Sequence, residues 1–264
     1  MYFKRLNGTH SLRFSNLAAC HGLVHAVFTR QGGRSTGPYE SLNVSDKTGD
    51  MPGHVSANRA LVDTWMGGNS LFCLNQVHSA DIVIIRKTEE EKIPLPNPPL
   101  ADAIITDIPG LDLMIMTADC QAVFLFDPNG RVCANIHSGW RGSLKNIIAK
   151  TVDAMKKNFS TDPENLMAGI GPSLGPCCAE FINFRKEISA GLWNYRHKTD
   201  SNKNISSNYF NFWNVSRDQL VAAGVRPENI EVSGICTKCN PSLFFSYRKS
   251  RITGRFANVI GLRE

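Results

Sequence analysis

The chain has 264 residues, 42% hydrophobic and 20% charged, a composition that suits a globular protein with a full core and rules out a disordered chain. The formal charge of +6 is spread without a lysine or arginine block, which favours an anionic small molecule over nucleic acid, for which no motif is present. Neither the start, Met1-Tyr2-Phe3-Lys4-Arg5, nor any later window carries the apolar run of a signal peptide or a membrane span, so a cytoplasmic protein without membrane contact is expected.

The first expected strand is Leu23 to Thr29, running into the glycine- and arginine-rich loop Arg30-Gln31-Gly32-Gly33-Arg34, a plausible anion contact. Ser41-Leu42-Asn43 follows, then a helix from near Ser56 with Ala60, Leu61, Trp65 and Met66 on its apolar side, stopping at Gly67-Gly68. Asn75-Gln76-Val77-His78 leads into a strand at Asp81 to Ile85. The acidic and proline-rich stretch Glu89 to Pro99 reads as a surface excursion within one domain. Dense apolar runs at Ala103-Ile104-Ile105, Leu113 to Met116 and Ala122 to Phe126 read as strands, with Thr117-Ala118-Asp119-Cys120-Gln121 between the last two.

A strand at Arg131 to Ile136 ends in His137-Ser138-Gly139-Trp140-Arg141-Gly142. A helix follows from Ser143 to Phe159, with Leu144, Ile147, Ile148, Val152 and Met155 on one face. Arg141 at this helix mouth pairs a fork of donors with unpaired backbone N–H groups, an arrangement that attracts anions. Another strand spans Leu166 to Ile170. It opens into Gly169-Ile170-Gly171-Pro172-Ser173-Leu174-Gly175, which is no dinucleotide fingerprint because the third glycine comes late and Pro172 interrupts it. Phe181 to Trp193 reads as helix, Asn194 to Asn208 as a solvated loop, and Asn214 or Ser216 as the cap of a helix stopping at Gly224. Strands at Ile230 to Ile235 and Phe256 to Leu262 close the chain. Short strands mixed with helices, without a repeat, imply an α+β fold of mixed sheets flanked by helices in one domain spanning residues 1–264.

In a reducing compartment the eight cysteines are expected as core residues or ligands rather than disulfides. His78 before a strand, Cys120 between two strands and His137 at a strand end make a set of two imidazoles and one thiolate. That is the three-protein-ligand set of a catalytic zinc site with a fourth position open. The same set describes a mononuclear copper centre, although the His-x-His pairs of multicopper oxidases are absent from the sequence. A Cys–His nucleophilic pair on Cys120 competes for the same atoms and leaves an amide hydrolase open. Cys236-Thr237-Lys238-Cys239 has no second Cys-x-x-Cys partner, and the adjacent Cys177 and Cys178 read as packing residues at a turn. His10, His21, His25, His54 and His197 read as structural or solvated.

Taken together, Phe28-Thr29-Arg30-x-Gly32-Gly33, Ser41-Leu42-Asn43, Asn75-Gln76-Val77-His78, Ala101-Asp102-Ala103 and Thr117-Ala118-Asp119-Cys120 form an ordered set with His137-x-Gly139-Trp140-Arg141-Gly142. Gly171-Pro172, Phe245-Ser246-Tyr247-Arg248 and Gly254-Arg255 complete it. The set resembles the multicopper polyphenol oxidase (laccase)-like family, also called the YfiH or DUF152 family and associated with purine nucleoside phosphorylase activity. The resemblance implies a single CNF1/YfiH-like domain and a zinc held by His78, Cys120 and His137. It also implies phosphorolysis of adenosine, inosine and methylthioadenosine, and deamination of adenosine to inosine.

Within that reading, Cys120, His137, Asp119 and Arg141 are the expected catalytic residues, Asp119 as the proton donor. Arg141, Arg30, Arg248, Asn43 and Gln76 are the expected contacts to nucleoside and phosphate. The protein is expected as a monomer or small homo-oligomer. Two departures from the family pattern stand out: Gln121-Ala122 where many relatives place a proline, and Cys177-Cys178-Ala179-Glu180 in place of Cys-Tyr-Glu.

Overall fold

The computed structural model, described for residues 1–6, 8–86, 97–196 and 208–264, is built on two six-stranded mixed sheets. Across the first sheet lie β1 (Tyr2–Leu6), β2 (Thr9–Arg13), β3 (Leu23–Phe28), β12 (Phe256–Leu262), β7 (Leu111–Thr117) and β4 (Ser70–Cys73). The second holds β11 (Ile230–Val232), β10 (Met167–Ile170), β8 (Gln121–Asp127), β9 (Val132–Ser138), β6 (Ala103–Thr106) and β5 (Ile82–Ile85). Parallel pairs occur at the sheet margins, β4 with β7, β5 with β6 and β10 with β11, and the other pairs are antiparallel. This is the α+β class read from the sequence.

The sheets face each other, and helices cover both outer sides. Phe72, Leu113 and Phe256 of the first sheet share a core with Ile104, Phe124 and Phe126 of the second. Beyond the short helix α1 (Ser15–Ala18), helix α2 (Pro52–Met66) lays Val62, Trp65 and Met66 on the outer face of the first sheet, against Phe28, Met114 and Val259. Helices α4 (Ile147–Phe159) and α6 (Phe212–Ala222) bring Ile148, Val152, Met155 and Leu220 against Ile105 and Leu125 of the second.

Successive side chains on a strand point to opposite faces, so Ile104 and Phe124 enter the inter-sheet core while Ile105 and Leu125 meet helices. Burial on both faces is why these strands read as unbroken apolar runs rather than alternating ones. Each fully buried side chain of this kind contributes about 1.5–3 kcal/mol relative to exposure. Two buried amides tie the layers together. Asn135 of β9 donates to the carbonyls of Leu113 and Asn258 at 2.9 Å each, and Asn258 donates to Ile115 O at 3.2 Å and Thr117 Oγ1 at 3.0 Å.

Several boundaries differ from the sequence reading. The helix expected from Ser143 to Phe159 is two pieces, α3 (Trp140–Leu144) and α4, separated at Asn146, whose left-handed φ of 53° stops one helix while its side chain accepts from Ala149 N to cap the next. Helix α2 begins at Pro52 rather than near Ser56, because proline is pre-set for the first helical turn, and it ends as expected at Gly67 with φ 117°. Phe181 to Trp193 contains only α5 (Phe184–Glu187) and the start of a 3-10 stretch at Ala190–Tyr195. Asn211, not Asn214 or Ser216, caps α6 by accepting from Asn214 N at 3.1 Å. The β1–β2 hairpin and β4, absent from the sequence reading, are only four or five residues long and carry no clean alternation of polar and apolar residues. The stretches Glu89 to Pro99 and Asn194 to Asn208 fall largely outside the described residues, and His197 does so entirely.

Candidate active site

The chain crosses from the first sheet to the second twice at the same end of the sandwich. One crossing, between β4 and β5, carries His78, and the other, between β7 and β8, carries Cys120. His137 reaches the same place from the end of β9, where its neighbour Ser138 pairs with Gln121. The ligand atoms of His78, Cys120 and His137 lie within 4.8 Å of one another. Cys120 Sγ is 3.9 Å from His78 Nε2, and the two imidazole rings stand edge to face with centroids 4.8 Å apart.

Asp102, fully buried on the approach to β6, organises this trio. One carboxylate oxygen lies 2.7 Å from His137 Nδ1 and accepts from His78 N at 3.0 Å. The other accepts from Ser79 N at 2.5 Å and Val77 N at 3.3 Å. Burial opposes its ionisation, but these donors hold the carboxyl well below the usual carboxylate range. With Nδ1 engaged, His137 presents Nε2 to the centre, the orientation that a carboxylate confers on a ligating histidine.

Two of the crossing residues have positive φ, His78 at 58° and Asp119 at 89°, sparsely populated for non-glycine residues and held here by the surrounding bonds. Gly139 leaves room where the ligands meet: a Cβ there would lie 2.9 Å from Cys120 Sγ and 3.2 Å from His78 Cδ2. Burial alone raises the Cys120 thiol, yet the imidazoles of His137 and His78 bring it down to about 6. Burial likewise disfavours a charged His137, but Cys120 and Asp102 push it up to about 9. The chemistry is that of a thiolate between imidazoles, an N/S donor set with its fourth side open. It fits one first-row transition-metal ion.

The trio floors a cavity of about 940 Å³. Lys47, Arg59, Arg141, Arg248, Arg251 and Arg255 give its walls positive charge, and Leu174, Phe181, Phe212 and Tyr247 supply apolar surface. The volume lies within the range of small-molecule sites.

The expected site residues divide into three groups. His78, Cys120 and His137 meet on the floor, and Arg141, Arg248, Gln76 and Asp119 line the cavity with them. Arg141 is exposed, its guanidinium 4.4 Å from the Trp140 ring centre, and α3 behind it has five residues. The anion site read from the helix mouth therefore rests on the arginine side chains themselves rather than on a long aligned helix. Gln76 spends its amide on both backbone groups of Met116, at 2.9 Å each, so it braces the wall. Asp119 accepts from Thr237 Oγ1 at 2.7 Å and Arg248 N at 2.5 Å, so both carboxylate oxygens are engaged in positioning.

Arg30 and Asn43 stand away from the cavity. Arg30 donates to the carbonyls of Glu40 and Pro241 and stacks on Phe245, which makes it a strut for the glycine-rich loop. Asn43 is fully buried, donates to Ser45 O, Thr48 Oγ1 and Asp50 Oδ2, and accepts from Arg255 N at 2.8 Å. Its influence on the cavity passes through the wall residues Ser45 and Thr48 and through Arg255, a residue to which the sequence assigns no role. Asp102 was likewise unassigned, although a lone carboxylate inside the apolar run Ala101 to Ile105 was the available signal.

The family model described as multi-copper polyphenol oxidoreductase laccase matches residues 24–263. The chain belongs to this laccase-like YfiH family. Among its relatives, purine nucleoside phosphorylase YlmD of Geobacillus stearothermophilus is 31% identical over 250 residues, 92% of this chain and 91% of that protein. A purine nucleoside phosphorylase of Deinococcus radiodurans is 33% identical over 265 residues, covering 97% and 94%. The crystal structure of YlmD from Geobacillus stearothermophilus superposes with a TM-score of 0.84 at 29% identity over 99% of each chain. A Neisseria meningitidis protein of the DUF152 family superposes with a TM-score of 0.81 at 27% identity over 97% of this chain and all of that one.

Proposed function

We propose that this chain is a cytoplasmic purine nucleoside phosphorylase that splits adenosine, inosine and methylthioadenosine with phosphate and also deaminates adenosine to inosine. The observation that carries this reading is one cavity joining a His-Cys-His floor, arginine-rich walls and aromatic surface. Relatives named purine nucleoside phosphorylase support it.

In phosphorolysis a phosphate oxygen forms a bond to ribose C1′ while the C1′–N9 bond breaks, and a proton goes to the departing purine. Arg141, Arg248 and Arg255 hold the phosphate's charge and aim its oxygen, with Asp119 fixing the Arg248 backbone. Phe181 and Phe212 offer rings against which a purine stacks. The zinc that His78, Cys120 and His137 would hold supplies Lewis-acid activation of water, the chemistry needed to exchange the purine C6 amino group for oxygen. Asp102 keeps His137 turned toward that centre throughout.

The test is to incubate zinc-loaded protein with adenosine, with and without phosphate. Adenine and ribose 1-phosphate should form only with phosphate, and inosine in both mixtures. Zinc-loaded protein that yields none of these products overturns the reading. Stoichiometric copper with oxygen uptake on a phenol would instead establish the oxidase named in the family's description. Activity of metal-free protein on an amide, abolished by alkylation of Cys120, would establish a cysteine hydrolase.

A further inference from the structure

Four more cysteines converge outside the cavity floor. Cys177, Cys178, Cys236 and Cys239 come from two segments about sixty residues apart, and their Sγ atoms all lie within 4.8 Å of one another. In the sequence alone, Cys177 and Cys178 read as packing at a turn and Cys236-x-x-Cys239 has no partner pair. The fold supplies the pair. Ser173 N donates to Ile235 O at 3.2 Å and Thr237 N to Ser173 O at 3.0 Å, so the two loops run side by side and bring the sulfurs together.

We infer that Cys177, Cys178, Cys236 and Cys239 form a second metal site, a four-thiolate centre for one tetrahedral divalent ion of the zinc class. Cys239 Sγ lies 3.6 Å from Cys177 Sγ and 3.5 Å from Cys178 Sγ. Sulfurs placed about 2.3 Å from a tetrahedral zinc are separated by about 3.8 Å, whereas a disulfide needs about 2.05 Å. All eight cysteines are free.

The turn has the form that such a site requires. Gly175 N points at Cys236 Sγ from 3.3 Å, and Cys236 O accepts from Asn240 N at 3.1 Å and from its side-chain amide at 2.8 Å, which closes a tight knuckle over the Cys-x-x-Cys segment. Gly175 is fitted to this place, since a Cβ there would meet Cys236 Cβ at 3.0 Å and the Trp213 ring at 2.8 Å. A bound dication replaces the thiol protons, which pass to solvent, and offsets the repulsion among four thiolates.

The centre would staple the loop carrying Ser173 and Leu174 to the one carrying Thr237, the partner of Asp119. It acts on the cavity wall from behind and stands independently of the activity proposed above.

Cobalt loading of reduced protein tests this directly. Intact protein should take up two cobalt ions per chain, one with the strong thiolate charge-transfer absorption of a four-sulfur tetrahedral centre. Cys120→Ala, which removes the only thiolate of the floor trio, should keep that absorption and at least one ion. The double variant C177S/C239S should lose it and drop to one ion. Uptake of a single ion by intact protein, with the four-thiolate absorption missing both there and in Cys120→Ala, overturns the site. A Cys177–Cys239 or Cys178–Cys239 disulfide in non-reduced peptides of freshly isolated protein would also overturn it.

Discussion

His137 Nδ1 sits 2.7 Å from a carboxylate oxygen of Asp102, and the same carboxylate gathers the backbone N–H groups of Val77, His78 and Ser79. One buried side chain thus sets the imidazole of one ligand and the loop of another. His137 closes a strand of the second sheet and His78 lies on a crossing into it, so the carboxylate ties a strand end to that crossing.

Asp102→Asn should therefore weaken metal binding without unfolding the protein. The amide retains the size of the carboxylate but surrenders its charge and one acceptor position. Loss of such an outer-shell partner lowers metal affinity about 10–100-fold. Competition with a chromogenic chelator measures this, and unchanged affinity would show that Asp102 has no part in ligand orientation.

Gly139→Ala tests the close approach at the floor. The backbone is extended there, with φ −79° and ψ 174°, so alanine introduces no torsional strain. The added Cβ would press on Cys120 Sγ and His78 Cδ2, at 2.9 and 3.2 Å. Thermal stability should fall by about 1–3 kcal/mol, the usual range for overpacking. Metal content should fall much further, because the clash falls on two ligands. Calorimetry alongside zinc analysis separates the two effects.

Arg255→Gln should act on phosphate more than on nucleoside. Burial lowers the affinity of this guanidinium for its proton, with Cys120 and Asp119 pulling the other way, and its backbone is pinned by Asn43. Removing a hydrogen bond to a charged group costs about 1.5–3 kcal/mol, so KM for phosphate should rise roughly ten- to hundredfold. Asn43→Ala, which touches no substrate and acts through Arg255 and the Ser45–Thr48 wall, should move the same constant by less. Initial-rate measurements with phosphate and nucleoside varied separately provide the check.

Stability should decline on mild acidification because of His25. Burial and the charge of Arg13 hold its pKa down to about 3, and its Nε2 accepts from Phe14 N at 2.8 Å. In the unfolded chain the imidazole returns to about 6.5 and binds a proton that the native state refuses. Its stabilising contribution is complete above about 6.5 and is lost progressively as pH falls from there toward 3. Between pH 7 and pH 5 this amounts to about 2 kcal/mol. Urea midpoints at the two pH values should differ by that much more in the natural protein than in His25→Gln, whose amide oxygen can accept from the same N–H.

The apolar runs from Ala103 to Phe126 declared their strands because helices and a second sheet cover both faces, leaving no polar alternation to misread. The three floor residues were legible for a chemical reason: two imidazoles and a thiolate beside predicted strands are the donor types of an N/S metal site, and the ordered family motifs carry all three. Asp102 and Arg255 were harder, since their roles depend on partners 35 and 212 positions away, His137 and Asn43. Arg30 and Asn43 misled for the converse reason. Both sit in motifs that resemble binding loops, yet each has its polar atoms satisfied by nearby chain, and spacing alone does not distinguish a donor offered to a ligand from one already spent. The four-cysteine cluster was hidden because the sequence shows two separated pairs, and only the parallel course of the two loops joins them.

The two crossings between the sheets give the floor a further property. His78 and Cys120 each belong to a segment with one foot in either layer, so a shift of one layer against the other would reach both donor atoms through the backbone. Trimming that core, for instance at Phe124, would let the layers settle and alter the spacing of donors that the substituted side chain never touches. The floor is thus coupled to the sandwich's interior, and substitutions deep in the core would be felt at the donor atoms through the two crossings.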